Sequence, residues 1–410
     1  MNIHIQKSTI VNHNSLINIT GSKSESNRLL LLQALYPQIS IKNLSNSDDS
    51  VLMQKALQSK DAIIDINHAG TAMRFLTAYF AVEDGRDVII TGSSRMKERP
   101  MQLLVDALKA LGADIEYVEN EGFPPLKISG KTLTKNKVEL AANVSSQYIS
   151  ALLLIGSKLK NGIELTLKGK ITSVPYIKMT LSLLKEAGIQ TNFTENIIKV
   201  TPTTNNQQPT TITVESDWSS ASYFYSIAAL SDLGTKVKLA SYKENSLQGD
   251  SVLAEIYKLF GVETTFSNSS VTLQKSKNVN QKSSIHLDLS NAPDIAQTIA
   301  VTAFALGLEC NLTGLHTLKI KETDRLVALK TELEKLGATV TITSNALHLK
   351  ASHTIKSEIS IATYHDHRMA MAFAPLALKV PITIKDADVV SKSYPQFWED
   401  LKHLGFLFQN

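Results

Sequence analysis

Four stretches of this chain read alike: ALKALGADIEYVENEGFPPLKI, LLKEAGIQTNFTENIIKV, IYKLFGVETTFSNSSVTL and ELEKLGATVTITSNALHL. Each runs from an amphipathic helical tail through a glycine into an alternating strand, a polar turn and a second alternating strand. The glycines are Gly112, Gly188, Gly261 and Gly337, and a weaker fifth copy turns at Gly405. Neighbouring copies lie 68 to 76 residues apart. A period of this size constrains the fold strongly, because each copy is one supersecondary unit that must bury its apolar face against others. Glycine at the end of a helical pattern predicts a left-handed C-terminal turn. The alternation after it predicts half-buried strands.

Upstream of each glycine a short apolar strand enters a polar loop, as in VIITGSSRMKERP and LTGLHTLKIKETDR, and the helix follows. Further helical segments separate the copies, such as SSASYFYSIAAL and PDIAQTIAVTAFAL. Each unit therefore reads as β-α-β-α-β-β over about 70 residues, and six would fill the 410 residues. The first is degenerate: SVLMQKALQSKDAIID supplies a helix without a full hairpin behind it. A polar, proline-bearing stretch at Thr201–Pro209 predicts an exposed mid-chain loop that divides the units three and three, hence two similar α/β (α+β) domains.

Composition excludes several classes. With 43% apolar, 20% charged and 6% aromatic residues, the chain is neither a disordered nor a collagenous sequence. The net charge of +4 suits an anionic small substrate as well as a nucleic acid. The single cysteine, Cys310, can form neither an intramolecular disulfide nor a cysteine zinc cage, and its leucine neighbours predict a small core residue. No secretory signal is expected from Met1 to Val11. The most apolar long stretch, Ile295 to Leu315, carries Gln297, Thr302, Glu309 and Asn311 and predicts a buried helix followed by a strand. A soluble cytoplasmic protein is the expectation.

Several segments hold groups that could do chemistry. GSKSESNR places Lys23, Ser24 and Arg28 at the start of an apolar helix, with Ser22 and Glu25 spaced as a capping box. Helix-start donors and two cations could bind an anion, or simply cap a helix. Gly70 and Thr71 mark a turn into a helix containing Arg74. Arg95, Lys97 and Arg99 crowd before Pro100, expected in the first turn of the next helix. Ser145, Ser146, Gln147, Ser173 and Tyr176 lie at two further helix starts, where they could cap or bind phosphate or sugar oxygens. Asp294 opens a helix, where an ordinary cap is the plainer use. Lys321, Glu322, Asp324 and Arg325 follow, with helical spacing expected to put Lys321 and Arg325 on one face. The run His365, Asp366, His367, Arg368 matches no standard metal spacing. No dinucleotide, P-loop, zincin or nucleophile-elbow motif occurs.

Taken in order, GSKSESNR, AGTAMR, RMKERP, VSSQY, SVPY, SDWSSASY, NSLQGD, PDIAQ, IKETDR and DHRMAM resemble the EPSP synthase family over essentially the whole chain. The resemblance implies two domains of the inside-out α/β barrel type, three folding units each. One would cover residues 21–215 and bind shikimate 3-phosphate; the other would join residues 1–20 to 216–410. It implies transfer of the enolpyruvyl group of phosphoenolpyruvate to the 5-hydroxyl of shikimate 3-phosphate, in chorismate and aromatic amino acid biosynthesis. Phosphate leaves, the path runs through a tetrahedral intermediate, and no metal or organic cofactor is needed. It also implies glyphosate as a competitor of phosphoenolpyruvate, and a cytoplasmic monomer without nucleic-acid or membrane partners.

By the same resemblance, Lys23, Ser24, Arg28, Ser145, Ser146, Gln147, Ser173, Asp294 and Lys321 contact shikimate 3-phosphate. Lys23, Gly70, Arg99, Gln147, Arg325 and Arg368 meet phosphoenolpyruvate. Asp294 is the proton acceptor, Glu322 a second acid–base group, and Lys23 stabilises developing charge. The sequence departs from the family at His68 and Thr317, where asparagines are usual. It departs again at Asp388, where a lysine is usual and Lys392 is the expected substitute. Two other functions compete. A UDP-N-acetylglucosamine enolpyruvyl transferase would need a cysteine in the loop from Ser93 to Pro100, which has none. A non-catalytic anion- or nucleic-acid-binding repeat protein would not need Asp294 and Glu322 among the cations.

Overall fold

The structure, a computed structural model, describes residues 1–11, 16–142, 145–169, 171, 174–202, 208–276 and 284–409. The chain forms two units: a contiguous one, Gly21–Val214, and a discontinuous one, Met1–Thr20 with Glu215–Asn410.

The repeat appears as a recurring four-stranded sheet. In the contiguous unit, Ile63–Asp65 pairs in parallel with Asp87–Thr91, which pairs antiparallel with Leu126–Ser129, itself antiparallel to Asp114–Tyr117. Lys137–Ala141, Ile163–Lys168, Ile197–Val200 and Thr191–Thr194 repeat the pattern. So do Ser284–Asp288, Glu309–Thr313, Leu347–Leu349 and Val340–Ile342 in the discontinuous unit. The parallel pair needs a crossover helix and the antiparallel pair only a turn, which is the β-α-β-α-β-β order. All five repeat glycines end a helix with φ between 75° and 110°, a region that a side chain disfavours.

Helices lie inside and sheets outside. Gly70–Val82 is buried on every residue but its last, Trp218–Leu230 on every residue but Ser219, and His367–Phe373 throughout. A helix apolar all round belongs in a core. The strands alternate instead, as in Ile163–Lys168 with Ile163, Leu165 and Leu167 buried, so one sheet face is left to water. The helix expected upstream of Gly261 is broken into Gly249–Val252 and Tyr257–Phe260, both 3-10, around Leu253–Ile256. Tertiary packing overrides the helical pattern there: the Tyr257 ring packs at a tilt against Tyr225, and its hydroxyl is hydrogen-bonded to Thr302.

The chain ends close each unit. The degenerate first unit has helices Lys23–Leu35 and Asp48–Gln58 but, among the described residues, only the strand Ile39–Lys42, paired in parallel with Thr210–Thr213. The last sheet inserts Ile3–Ile5 between Ile382–Ile384 and Phe408–Gln409. The expected helix and strand after Ile295 are Ala296–Ala305 and Glu309–Thr313, with Cys310 fully buried. No helix among the described residues is long and apolar enough to cross a membrane. The Thr201–Pro209 loop lies partly outside the described residues.

Candidate active site

In the contiguous unit, Lys23 and Ser24 open the helix Lys23–Leu35. The expected capping box is not made. Ser22 caps through its carbonyl, which accepts from Ser26, while its buried hydroxyl has no partner among the described residues. Arg28, one turn on, is buried. Its Nε donates to Thr180 Oγ1 at 2.8 Å, Nη2 to Ser150 Oγ at 3.0 Å and Nη1 to the Ser24 carbonyl at 2.6 Å. Its guanidinium lies 5.5 Å from the Phe75 ring centroid. One cation thus joins four helices through neutral groups, and burial pulls its pKa down to about 10.

Gly70 and Arg99 meet directly. A Cβ built on Gly70 would run into the Arg99 guanidinium, so glycine here lets Arg99 lie directly against the backbone. Arg74 donates to the Gly70 carbonyl at 2.7 Å. Its pKa falls to about 10 through burial and the nearby charge of Arg99. Gln147 Nε2 reaches Thr71 Oγ1 at 3.1 Å. Ser145 caps Ser146–Gly156 by accepting from the Gln147 amide, Ser146 is buried, and Ser173 lies outside the described residues. Pro100 is not in the first turn of its helix. Gln102–Leu111 starts two residues later, and Ser94–Lys97 forms a short helix of its own, capped by Ser93. Hydroxyls, amides and cations at helix starts are groups of the kind that hold anions.

The discontinuous unit gathers carboxylates and cations. Asp294 lies in the 3-10 turn Pro293–Ile295, not at a cap position. Its Oδ1 is 2.8 Å from Arg325 Nη1 and 3.4 Å from Lys321 Nζ; its Oδ2 is 3.4 Å from Arg368 Nη2. Burial alone would raise the Asp294 carboxyl, but Lys321, Arg368 and Arg325 hold it well below its usual range. Burial lowers the Lys321 ammonium, an effect Asp294 opposes. Arg325 also pairs with Glu322 at 2.8 Å and with the fully buried Asp366 at 2.6 Å. Burial would lower the Arg325 guanidinium, yet Asp366, Glu322 and Asp294 together raise it.

Lys321 and Arg325 do converge, but for a reason other than helical spacing. The helix begins at Arg325, capped by Asp324, and Lys321 reaches Asp294 from an extended position four residues earlier, just after the 3-10 turn His316–Ile320. His365, Asp366 and His367 do not form a cage. Asp366 caps Arg368 and holds Arg325. Asp388 pairs with the N-terminus at 2.5 Å, and Lys392 Nζ donates to the His365 carbonyl at 2.7 Å, beside Asp366. Thr317 is hydrogen-bonded to nothing through its buried hydroxyl among the described residues.

Sequence reasoning assigned no part to Asp366, to Arg74, or to Asp250 and Ser219. Ser219 joins the last pair to the cluster, donating to Asp250 and accepting from Arg368 Nη2 at 3.3 Å. Both lie in motifs visible in the sequence, SDWSSASY and NSLQGD, whose polar residues signalled them.

A family model described as EPSP synthase (3-phosphoshikimate 1-carboxyvinyltransferase) matches residues 53–401. A Bacteroides fragilis 3-phosphoshikimate 1-carboxyvinyltransferase is 47% identical over 395 residues, 95% of each chain. The chain belongs to the EPSP synthase family. A Haemophilus influenzae relative of the same name is 36% identical, covering 95% of this chain and 96% of its own. The EPSP synthase fold is also seen in solved structures. One from Acinetobacter baumannii superposes with a TM-score of 0.82 at 22% identity, over 100% of this chain and 99% of that one. The enolpyruvyl transferase NikO of Streptomyces tendae does so at 0.76 and 13%, over 100% and 98%. At such identities the last two speak for the two-domain α/β fold alone.

Proposed function

We propose that the chain transfers the enolpyruvyl group of phosphoenolpyruvate to the 5-hydroxyl of shikimate 3-phosphate and releases phosphate, within the shikimate pathway. The Asp294 cluster carries the reading: one carboxylate held ionised by three cations, with a second, Glu322, on the same arginine. The reaction needs a base for the hydroxyl, an acid for the methylene carbon and cations for two phosphates and a carboxylate.

Asp294 is the proton acceptor in this reading and Glu322 the second acid–base group. A carboxylate stabilised by three cations is a weak base. Arg325, Lys321 and Arg368 are the groups that bind the anionic substrates, so substrate draws them off Asp294 and raises its basicity when a base is needed. Lys321 joins Lys23, Ser24, Arg28, Ser145, Ser146, Gln147 and Ser173 in holding shikimate 3-phosphate. Gly70, Arg99, Gln147, Arg325 and Arg368 hold phosphoenolpyruvate, and Lys23 stabilises developing charge. A cytoplasmic monomer, competition by glyphosate and independence from cofactors belong to the same proposal and rest on the family.

Cys310 bears on the competing UDP-N-acetylglucosamine acceptor. It is fully buried on a strand, and burial pushes its thiol up to about 12, which suits no reactive cysteine. The test is phosphate release: it should occur only with phosphoenolpyruvate and shikimate 3-phosphate together. Glu322→Gln should lower kcat by about 10²-fold. Release with UDP-N-acetylglucosamine and none with shikimate 3-phosphate would overturn the reading. Asp294→Asn is a poorer variant than its matched shape suggests, because it leaves three cations without their shared counter-charge.

A further inference from the structure

Tyr148 follows Gln147 in the helix Ser146–Gly156 and is buried. Its ring and its hydroxyl both bear on Arg74, and the hydroxyl has a second partner besides. The ring lies 5.7 Å below the Arg74 guanidinium, whose Nη1 holds the Gly70 carbonyl. The hydroxyl donates to the Pro100 carbonyl at 2.5 Å. Pro100 follows Arg99, the residue whose guanidinium fills the space over Gly70. On its other side the Arg99 segment is tied by its own amide to the Met96 carbonyl and by Met101 to Gly122. One side chain therefore reaches both sides of the Gly70–Arg99 contact: one through Arg74, the other through Pro100. Pro100 is exposed, so its carbonyl could turn to water at little cost to the fold. The bond is one of three that hold the Arg99 segment, and the one made by a side chain.

We propose that Tyr148 is a positioning residue for phosphoenolpyruvate: by holding the Pro100 carbonyl, its hydroxyl fixes Arg99 against Gly70, where the donor's anionic end binds. The inference rests on the function proposed above. Its variant is Tyr148→Phe, which keeps the ring under Arg74 and deletes only the hydroxyl. The KM for phosphoenolpyruvate should rise about fivefold, the scale of one lost hydrogen bond. The KM for shikimate 3-phosphate and kcat should stay within about twofold, and the thermal midpoint within about two degrees. Wild-type protein is assayed alongside. If it releases no phosphate with both substrates, the proposed function fails, whatever the variant does. If it is active and the variant's KM for phosphoenolpyruvate is unchanged, the positioning role is wrong. If both KM values rise alike, or the midpoint falls by many degrees, Tyr148 serves the fold and not the donor site, and the inference is again overturned.

Discussion

Asp250 is buried in the discontinuous unit, one hydroxyl away from Arg368. Burial raises its pKa to about 6, with help from Asp294 and against the pull of Arg368. A carboxyl that binds its proton more tightly when folded stabilises the fold fully below its unfolded pKa, near 3.8, and loses that contribution as the pH rises through about 6. Asp250→Asn has no such loss. The variant should match wild type at pH 4 and exceed it at pH 8 by about 2–3 kcal/mol, the worth of two pKa units. Urea unfolding at the two pH values measures the difference, and equal stability at pH 8 would contradict it. Asp250 shows why the site was only partly legible at this scale. Residue types and their order marked Asp294, Lys321, Glu322, Arg325 and Arg368, because charge is written in the sequence. Burial is not, so the linked pair Ser219 and Asp250 and the central place of Asp366 emerged only from the packing. Ser22 failed as a side-chain cap for the same reason: spacing licenses a capping box but does not say which way a buried hydroxyl points.

The element that aims Asp366 is a turn held from behind. Tyr364 and His365 both take left-handed φ, 53° and 55°, which costs of order 1 kcal/mol each for such residues. Glu332, wholly buried in the helix Arg325–Lys335, holds the turn. It accepts from the Tyr364 hydroxyl at 2.6 Å, the Ala362 amide at 3.2 Å and Lys335 at 2.7 Å. The helix that carries Arg325 thus also shapes the loop that delivers Arg325's partner, Asp366. Glu332→Ala should cost about 3 kcal/mol by leaving these donors unpaired, read as a shift in the urea midpoint. A loss under about 1 kcal/mol would mean that the turn stands without it. Nothing in the local pattern of TYHDHR announces two left-handed residues. Glycine-ended helices and alternating strands were legible because each is a local geometric need. The broken helix at Gly249–Phe260 was not, since contacts of Tyr257 with Tyr225 and Thr302, distant in the chain, decide it.

The two units differ in how the chain closes them. Gly21–Val214 is one continuous segment, whose degenerate first strand pair is completed within it by Thr210–Thr213. The other unit depends on residues 1–20, which supply Ile3–Ile5 inside its last sheet and Leu16–Ile17 on the edge of another. Residues 21–214 expressed alone should fold with a cooperative thermal transition. Residues 215–410 alone should not, since Ile382–Ile384 and Phe408–Gln409 would lose the strand that joins them. Circular dichroism on the two fragments checks this, and a cooperative 215–410 fragment would refute it. The recurring strand–helix–hairpin unit was legible because periodicity survives in sequence. Borrowing a first strand for a last sheet leaves no periodic trace.

That borrowed strand imposes an order on synthesis. Ile3–Ile5 leaves the ribosome long before its partner Ile382–Ile384. At about 5–20 residues per second the two are separated by roughly 20–75 s. Throughout that wait a whole barrel half, Gly21–Val214, can emerge and fold, while three residues with two isoleucines hang from its front end as an unmatched edge. The contiguous unit can thus be complete while the strand Ile3–Ile5, made before it, still waits for its partner.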